Sequence, residues 1–156
     1  TAYEILSGLV GSEMCIRDSM NTIKINIVSS SEEIYSGEAT MVFATGTLGE
    51  LGIAPGHTPL LTGLAAGPGR VQNGSDEETF FCSGGFLEVQ PDLVTVLSDT
   101  AERAESLDES EAIKAKEVAE QELANKDTSI DYAKASAQLA EAVARLKTIQ
   151  KLRKKQ

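Results

Sequence analysis

Phe86–Ser98 reads FLEVQPDLVTVLS, and this stretch decides the fold. Two alternating runs, Phe86–Gln90 and Leu93–Ser98, meet at Pro91-Asp92. Alternation of apolar and polar residues is the period of a half-buried strand, and Pro-Asp is turn chemistry, so the stretch reads as a β-hairpin. The same pattern extends upstream. Ile23, Ile25 and Ile27 alternate with Lys24 and Asn26. Ile34–Thr45 is rich in β-branched and aromatic residues, including Tyr35, Val42 and Phe43. Arg70–Asn73 and Thr79–Ser83 are further candidate strands, divided by Gly67-Pro68-Gly69, Asn73-Gly74-Ser75-Asp76 and Gly84-Gly85. Short strands with frequent turns and no helix between them predict a β-sandwich or barrel over residues 20–105.

Downstream of Ala104 the composition changes. Ser106-Leu107-Asp108-Glu109 has the spacing of a capping box, with Ser106 as the expected cap. Ala112, Ala115, Ala119 and Leu123 follow at helical spacing, and Asn125–Ser129 breaks the pattern. Thr128 with Asp131 offers a second cap. Tyr132, Leu139, Val143, Leu146 and Ile149-Gln150 then mark one side of a second helix. Residues 106–156 therefore read as an antiparallel helix hairpin, and the whole chain as α+β: an N-terminal antiparallel β-sandwich followed by a C-terminal antiparallel two-helix hairpin. Alanine dominates both helices. A buried methyl stabilises by only about 0.8 kcal/mol, whereas alanine has the best helix propensity, so such a hairpin could open without melting. Periodicity alone favours a permanently packed hairpin.

Charge separates the two regions as well. The net charge is −10, with 15 acids and 4 bases in residues 1–105 against 9 acids and 10 bases in residues 106–156. Ala142–Gln156 holds six bases and no acid: Arg145, Lys147, Lys151, Arg153, Lys154 and Lys155. An acidic body disfavours nucleic acid as a partner. The basic end suits either an acidic protein surface or the negative end of its own helix dipole. No run of about 18 apolar residues is present, so no membrane-spanning helix is expected. Two cysteines, Cys15 and Cys82, and one histidine, His57, provide neither a disulfide framework nor a zinc site. Cys82 reads as a small buried apolar residue.

Thr1–Ser19 lacks the basic start and continuous apolar core of a signal peptide. Gly8–Ser19, GLVGSEMCIRDS, resembles translated sequencing-adapter read-through, so residues 1–19 are expected to be a non-native, disordered extension and Met20 the native start. A short native extension is the alternative.

Three stretches resemble the epsilon-subunit family of F-type ATP synthases: Gly49–Thr62 (GELGIAPGHTPLLT), Ser83–Ala101 and Asp131–Ala140. They occur in the family's order and spacing, and the likeness spans Met20 to the C-terminus. The resemblance implies a non-catalytic central-stalk subunit that couples ion translocation to ATP synthesis. It also implies binding to the gamma subunit and the c-ring, and peripheral placement on the cytoplasmic face of a bacterial inner membrane. The loop Glu50–His57 corresponds to the family's ring-facing loop, so Glu50 and His57 are carried over as partner-interface residues. The helical region is implied to inhibit ATP hydrolysis by extending toward the catalytic beta and alpha subunits, with the six bases meeting acidic segments there.

Other chemistry fits poorly. Gly46–Gly52 superficially resembles a phosphate-cradling loop, but Ile53-Ala54-Pro55-Gly56 follows instead of a helix start. His57 has no nucleophile elbow or paired nucleophile to serve. Some bacterial relatives bind ATP through an Ile/Leu-Asp-x-x-Arg-Ala run. Here Leu107–Ala112 carries Glu111 in place of the arginine, leaving Asp108, Ala112 and Arg145 as the positions that would serve a nucleotide. A carboxylate facing phosphate is repulsive, so no cofactor is expected. The competing readings are an ATP-sensing module and a purely structural adaptor.

Overall fold

The computed structural model describes residues 22–124 and 132–154. The extension 1–19, the break Asn125–Ser129, the Thr128–Asp131 cap and Lys155 lie outside the described residues. Ten strands form one continuous sheet that folds over on itself: β1 (Ile23–Ser29), β2 (Glu33–Ala39), β3 (Met41–Gly46), β4 (Gly49–Ile53), β5 (Leu60–Leu64), β6 (Gly67–Asn73), β7 (Asp76–Cys82), β8 (Gly85–Val89), β9 (Leu93–Ser98) and β10 (Ala101–Arg103). The hydrogen-bonded order is β10-β7-β6-β3-β5-β8-β9-β1-β2, with β4 paired to β3, and the end strands β10 and β2 come into contact.

The decisive hairpin forms as read, Val89 pairing with Val94 and Leu87 with Val96 across β8 and β9. All four side chains are buried. They join Ile23, Ile25, Ile27, Val42, Ile53, Val71 and Phe80 in a single core, where burying each of the larger side chains stabilises by about 1.5–3 kcal/mol. All strand pairs are antiparallel except β1 with β9, which is parallel. That departs from the wholly antiparallel expectation: the first strand slots in between β9 and β2 as the two layers close.

Several boundaries differ from the pattern reading. Ile34–Thr45 is two strands, interrupted at Thr40, whose N–H and hydroxyl both donate to the Gln72 carbonyl. Gly67-Pro68-Gly69, read as a turn, is extended and paired with Phe80–Cys82. A Cβ at Gly67 would stand 2.7 Å from Thr45 Oγ1, so glycine lets these neighbouring strands approach. β4, β5 and β10 carry too little alternation to be recognised alone.

A 3-10 turn at Ala104–Ser106 leads to α1 (Glu109–Ala124) and α2 (Tyr132–Arg153). The cap of α1 is Asp108, not Ser106. Its Oδ1 accepts the Ser110 N–H and hydroxyl, each at 2.8 Å. These bonds hold the Asp108 carboxyl below its ordinary pKa. Ser106 is committed to the 3-10 turn instead, which the local spacing does not reveal. α1 packs on α2, and α2 packs on β6, β7 and the 3-10 turn. Buried contacts fall on Ala112 and Ala119 of α1 and on Ala135, Ala142, Ala144, Thr148 and Ile149 of α2. Tyr132, expected on the packed side, is exposed, as is Gln150, while Leu139, Val143 and Leu146 are half-buried. The helices approach through their smallest residues, which places the larger ones at the margins.

Candidate functional site

Three surfaces could carry function: the strand and loop Gly49–Pro59, the outer face of β5, β8 and β9, and the hairpin with its seam to the sandwich.

The first departs from its prediction. Glu50 lies within β4, opposite Thr45, and only Ala54–Pro59 is loop. Glu50 Oε1 sits 3.2 Å from Arg70 Nη2 and 3.7 Å from Lys151 Nζ of α2. His57 follows a turn in which its N–H donates to the Ala54 carbonyl and Gly56 N–H donates to Pro91. His57 Nδ1–H donates to Thr58 O at 2.7 Å. The structure thus places the two residues toward opposite ends of β4: Glu50 turned to the hairpin, His57 against the β8–β9 turn.

The second surface was missed by sequence reading. Residues alternating with the core point outward from β8 and β9, and there Phe86 (59% exposed) faces Leu97 (49% exposed) across the pair. Gly63 extends the row on β5 and half-buried Val28 extends it on β1. Leu61, 71% exposed, lies one row along. Leu48 is fully exposed in the β3–β4 turn, and its neighbour Thr47 donates its N–H to Gly63 O. The signal was present: an apolar residue out of phase with the core in each of two adjoining strands.

The hairpin seam is the third. Ala112 and Arg145 line a cleft of about 480 Å³ between the helices, together with Glu111, Glu122 and Glu141. Asp108 is occupied as the helix cap. Arg145 Nη2 lies 3.2 Å from Glu141 Oε1 and 3.4 Å from Glu102 Oε1 of β10, and its guanidinium stands 5.1 Å from the Phe81 ring centroid. The acids that surround it suit arginine better than phosphate. Of the other basic-tail residues, Lys147, Lys151 and Lys154 line a second cleft of about 580 Å³ between α2 and the sandwich. Arg153 pairs with Glu109 at the start of α1. Among the described residues no group of three His, Cys, Asp or Glu is placed to hold a metal, and no helix is long and apolar enough to cross a membrane.

A small sandwich with a docked helical hairpin and an exposed apolar row defines a two-part protein built for protein–protein docking. Family models match both parts. The beta-sandwich domain of the ATP synthase delta/epsilon chain matches residues 22–104, and its long alpha-helix domain matches residues 105–150. The chain belongs to the ATP synthase delta/epsilon chain family. It is 52% identical over 132 residues to the ATP synthase epsilon chain of Acidithiobacillus ferridurans, covering 85% of this chain and 94% of that one. It is 53% identical over 137 residues to that of a Janthinobacterium strain, covering 86% and 98%. Among solved structures, a chain of the Euglena gracilis mitochondrial ATP synthase aligns with a TM-score of 0.67 at 21% identity, covering 86% of this chain and 81% of that one. A chain of the Tetrahymena thermophila enzyme aligns with a TM-score of 0.53 at 12% identity, covering 81% and 96%. These two show that the fold is shared.

Proposed function

We propose that this chain is a non-catalytic stalk subunit: its sandwich docks on the gamma subunit and on the c-ring, and its hairpin brakes ATP hydrolysis by reaching the catalytic subunits. Residues 20–105 form the docking block and residues 106–156 the regulatory arm. The exposed row Phe86–Leu97, with Leu61, supports this reading most directly. Contiguous large apolar side chains on an outer sheet face are costly in water and suit burial against a partner. The gamma subunit is assigned to this face, and the c-ring to the end bearing His57. The chain sits peripherally on a membrane-bound complex through these partners.

Replacing Phe86 and Leu97 by serine tests the docking assignment. Retention of the subunit on purified gamma complex should fall by tenfold or more, as expected for hot-spot residues whose loss costs about 2 kcal/mol. Undiminished retention would refute it. Deleting residues 130–156 tests the brake: ATP hydrolysis by the assembled enzyme should rise, and an unchanged rate would remove the inhibitory role.

A further inference from the structure

We propose that Arg145 and Lys151 form a two-point charge latch that holds the hairpin on the sandwich and, while closed, withholds those bases from an acidic partner. The inference rests on the proposed braking role and deepens it. The ion pairs Arg145–Glu102 and Lys151–Glu50 join the hairpin to sandwich strands, their bases set six residues apart on α2, roughly 9 Å along its axis. Each base has further acidic or aromatic company. Arg145 shares Glu141 and lies over Phe81, which is 0% exposed yet outside the sandwich core because it points outward from β7. Lys151 meets Glu50 beside Arg70, so Glu50 bridges two cations. The cleft along the seam is lined by Ala140, Val143 and Ala144 of α2 against Ala66, Gly67 and Pro68. These side chains bury little apolar area, so beyond the cover the hairpin gives Phe81 the two ion pairs are what tune how firmly it is held.

Two consequences follow from the geometry. An exposed or half-exposed ion pair is weakened by salt, so the docked population should fall with ionic strength. Docking and braking also compete for Arg145 and Lys151: acids of the sandwich must release them before acids of another subunit can take them. The chain carries, in Glu50 and Glu102, an internal substitute for its partner's acidic surface.

The test uses the full chain with Cys15→Ser and paired spin labels at Glu88, on the far outer face, and Gln121, on α1. Wild type should give one narrow distance distribution. Glu102→Gln and Lys151→Gln should each raise the undocked population ~fivefold, the effect of losing one exposed pair, and more in combination. Lys151→Arg, which keeps the charge, should retain the narrow distribution that Lys151→Gln broadens, which loss of the pair with Glu50 alone explains. Distributions that stay unaltered in all variants and at all salt concentrations would overturn the latch. In the assembled enzyme Glu102→Gln should deepen inhibition of hydrolysis. A broadened distribution without deeper inhibition would uphold the latch and refute the brake.

Discussion

At the scale of single residues, conformation and burial decide more than chemical type. Gly85 has φ +125°, and a Cβ there would stand 2.0 Å from the Leu97 carbonyl oxygen. Gly85→Ala should therefore destabilise the chain by about 2 kcal/mol or more, read as a lowered midpoint in denaturant unfolding. The Gly-Gly pair was legible as punctuation, but the clash that forbids any side chain came from β9 packing alongside. Cys82 behaves as its sequence context suggested. Burial pushes its thiol up from 9.0 to about 11. The raised value means the folded chain holds its proton after the unfolded chain has lost it. The contribution is thus intact below pH 9 and is lost as pH climbs from 9 toward 11. Cys82→Ala should flatten that part of the stability–pH curve, measured by urea titration at each pH.

At the scale of elements, alanine is the organising residue of the hairpin. Ala144 is buried where α2 crosses the sandwich, and the Thr148 hydroxyl donates to its carbonyl at 2.9 Å. Ala144 is only 5% exposed, so a leucine must crowd that close contact before it reaches the open cleft beside it. Ala144→Leu should push α2 off β6 at a cost of about 1–3 kcal/mol, detectable as faster amide exchange on the seam side of the helix while α1–α2 packing persists. Periodicity found both helices and, on α2, a side whose Ile149 is buried and whose Leu139, Val143 and Leu146 are half-buried, but it included the exposed Tyr132 and Gln150 and passed over the buried alanines. Beside Ile149, the fully buried positions are the small ones, Ala135, Ala142, Ala144 and Thr148. Hydrophobic spacing weights residues by size, whereas close helix packing rewards the absence of it. The strands missed, β4, β5 and β10, fail for a related reason: glycine and short length dilute their alternation, and only pairing with β3, β7 and β8 holds them extended.

At the scale of the whole molecule, two separate interiors support two separable parts. The sandwich core contains no residue beyond Ala101, and the buried alanines of the hairpin stand outside it. A chain ending at Ser106 should still unfold cooperatively, with its melting temperature lowered as Phe81 becomes exposed; Phe81→Ser should improve the solubility of that truncated chain while destabilising the full-length one. Sequence alone determined the order of architectures, the hairpin at Pro91-Asp92, the buried Cys82 and the family resemblance, because these rest on local periodicity, turn chemistry and runs of neighbouring residues. Tertiary structure alone decided where Glu50 points, that Arg145 and Lys151 are already engaged, and that Phe86 and Leu97 share an outer face. Each of those facts concerns residues far apart in the chain. Only the closing of the sheet and the seating of α2 bring them within reach of one another.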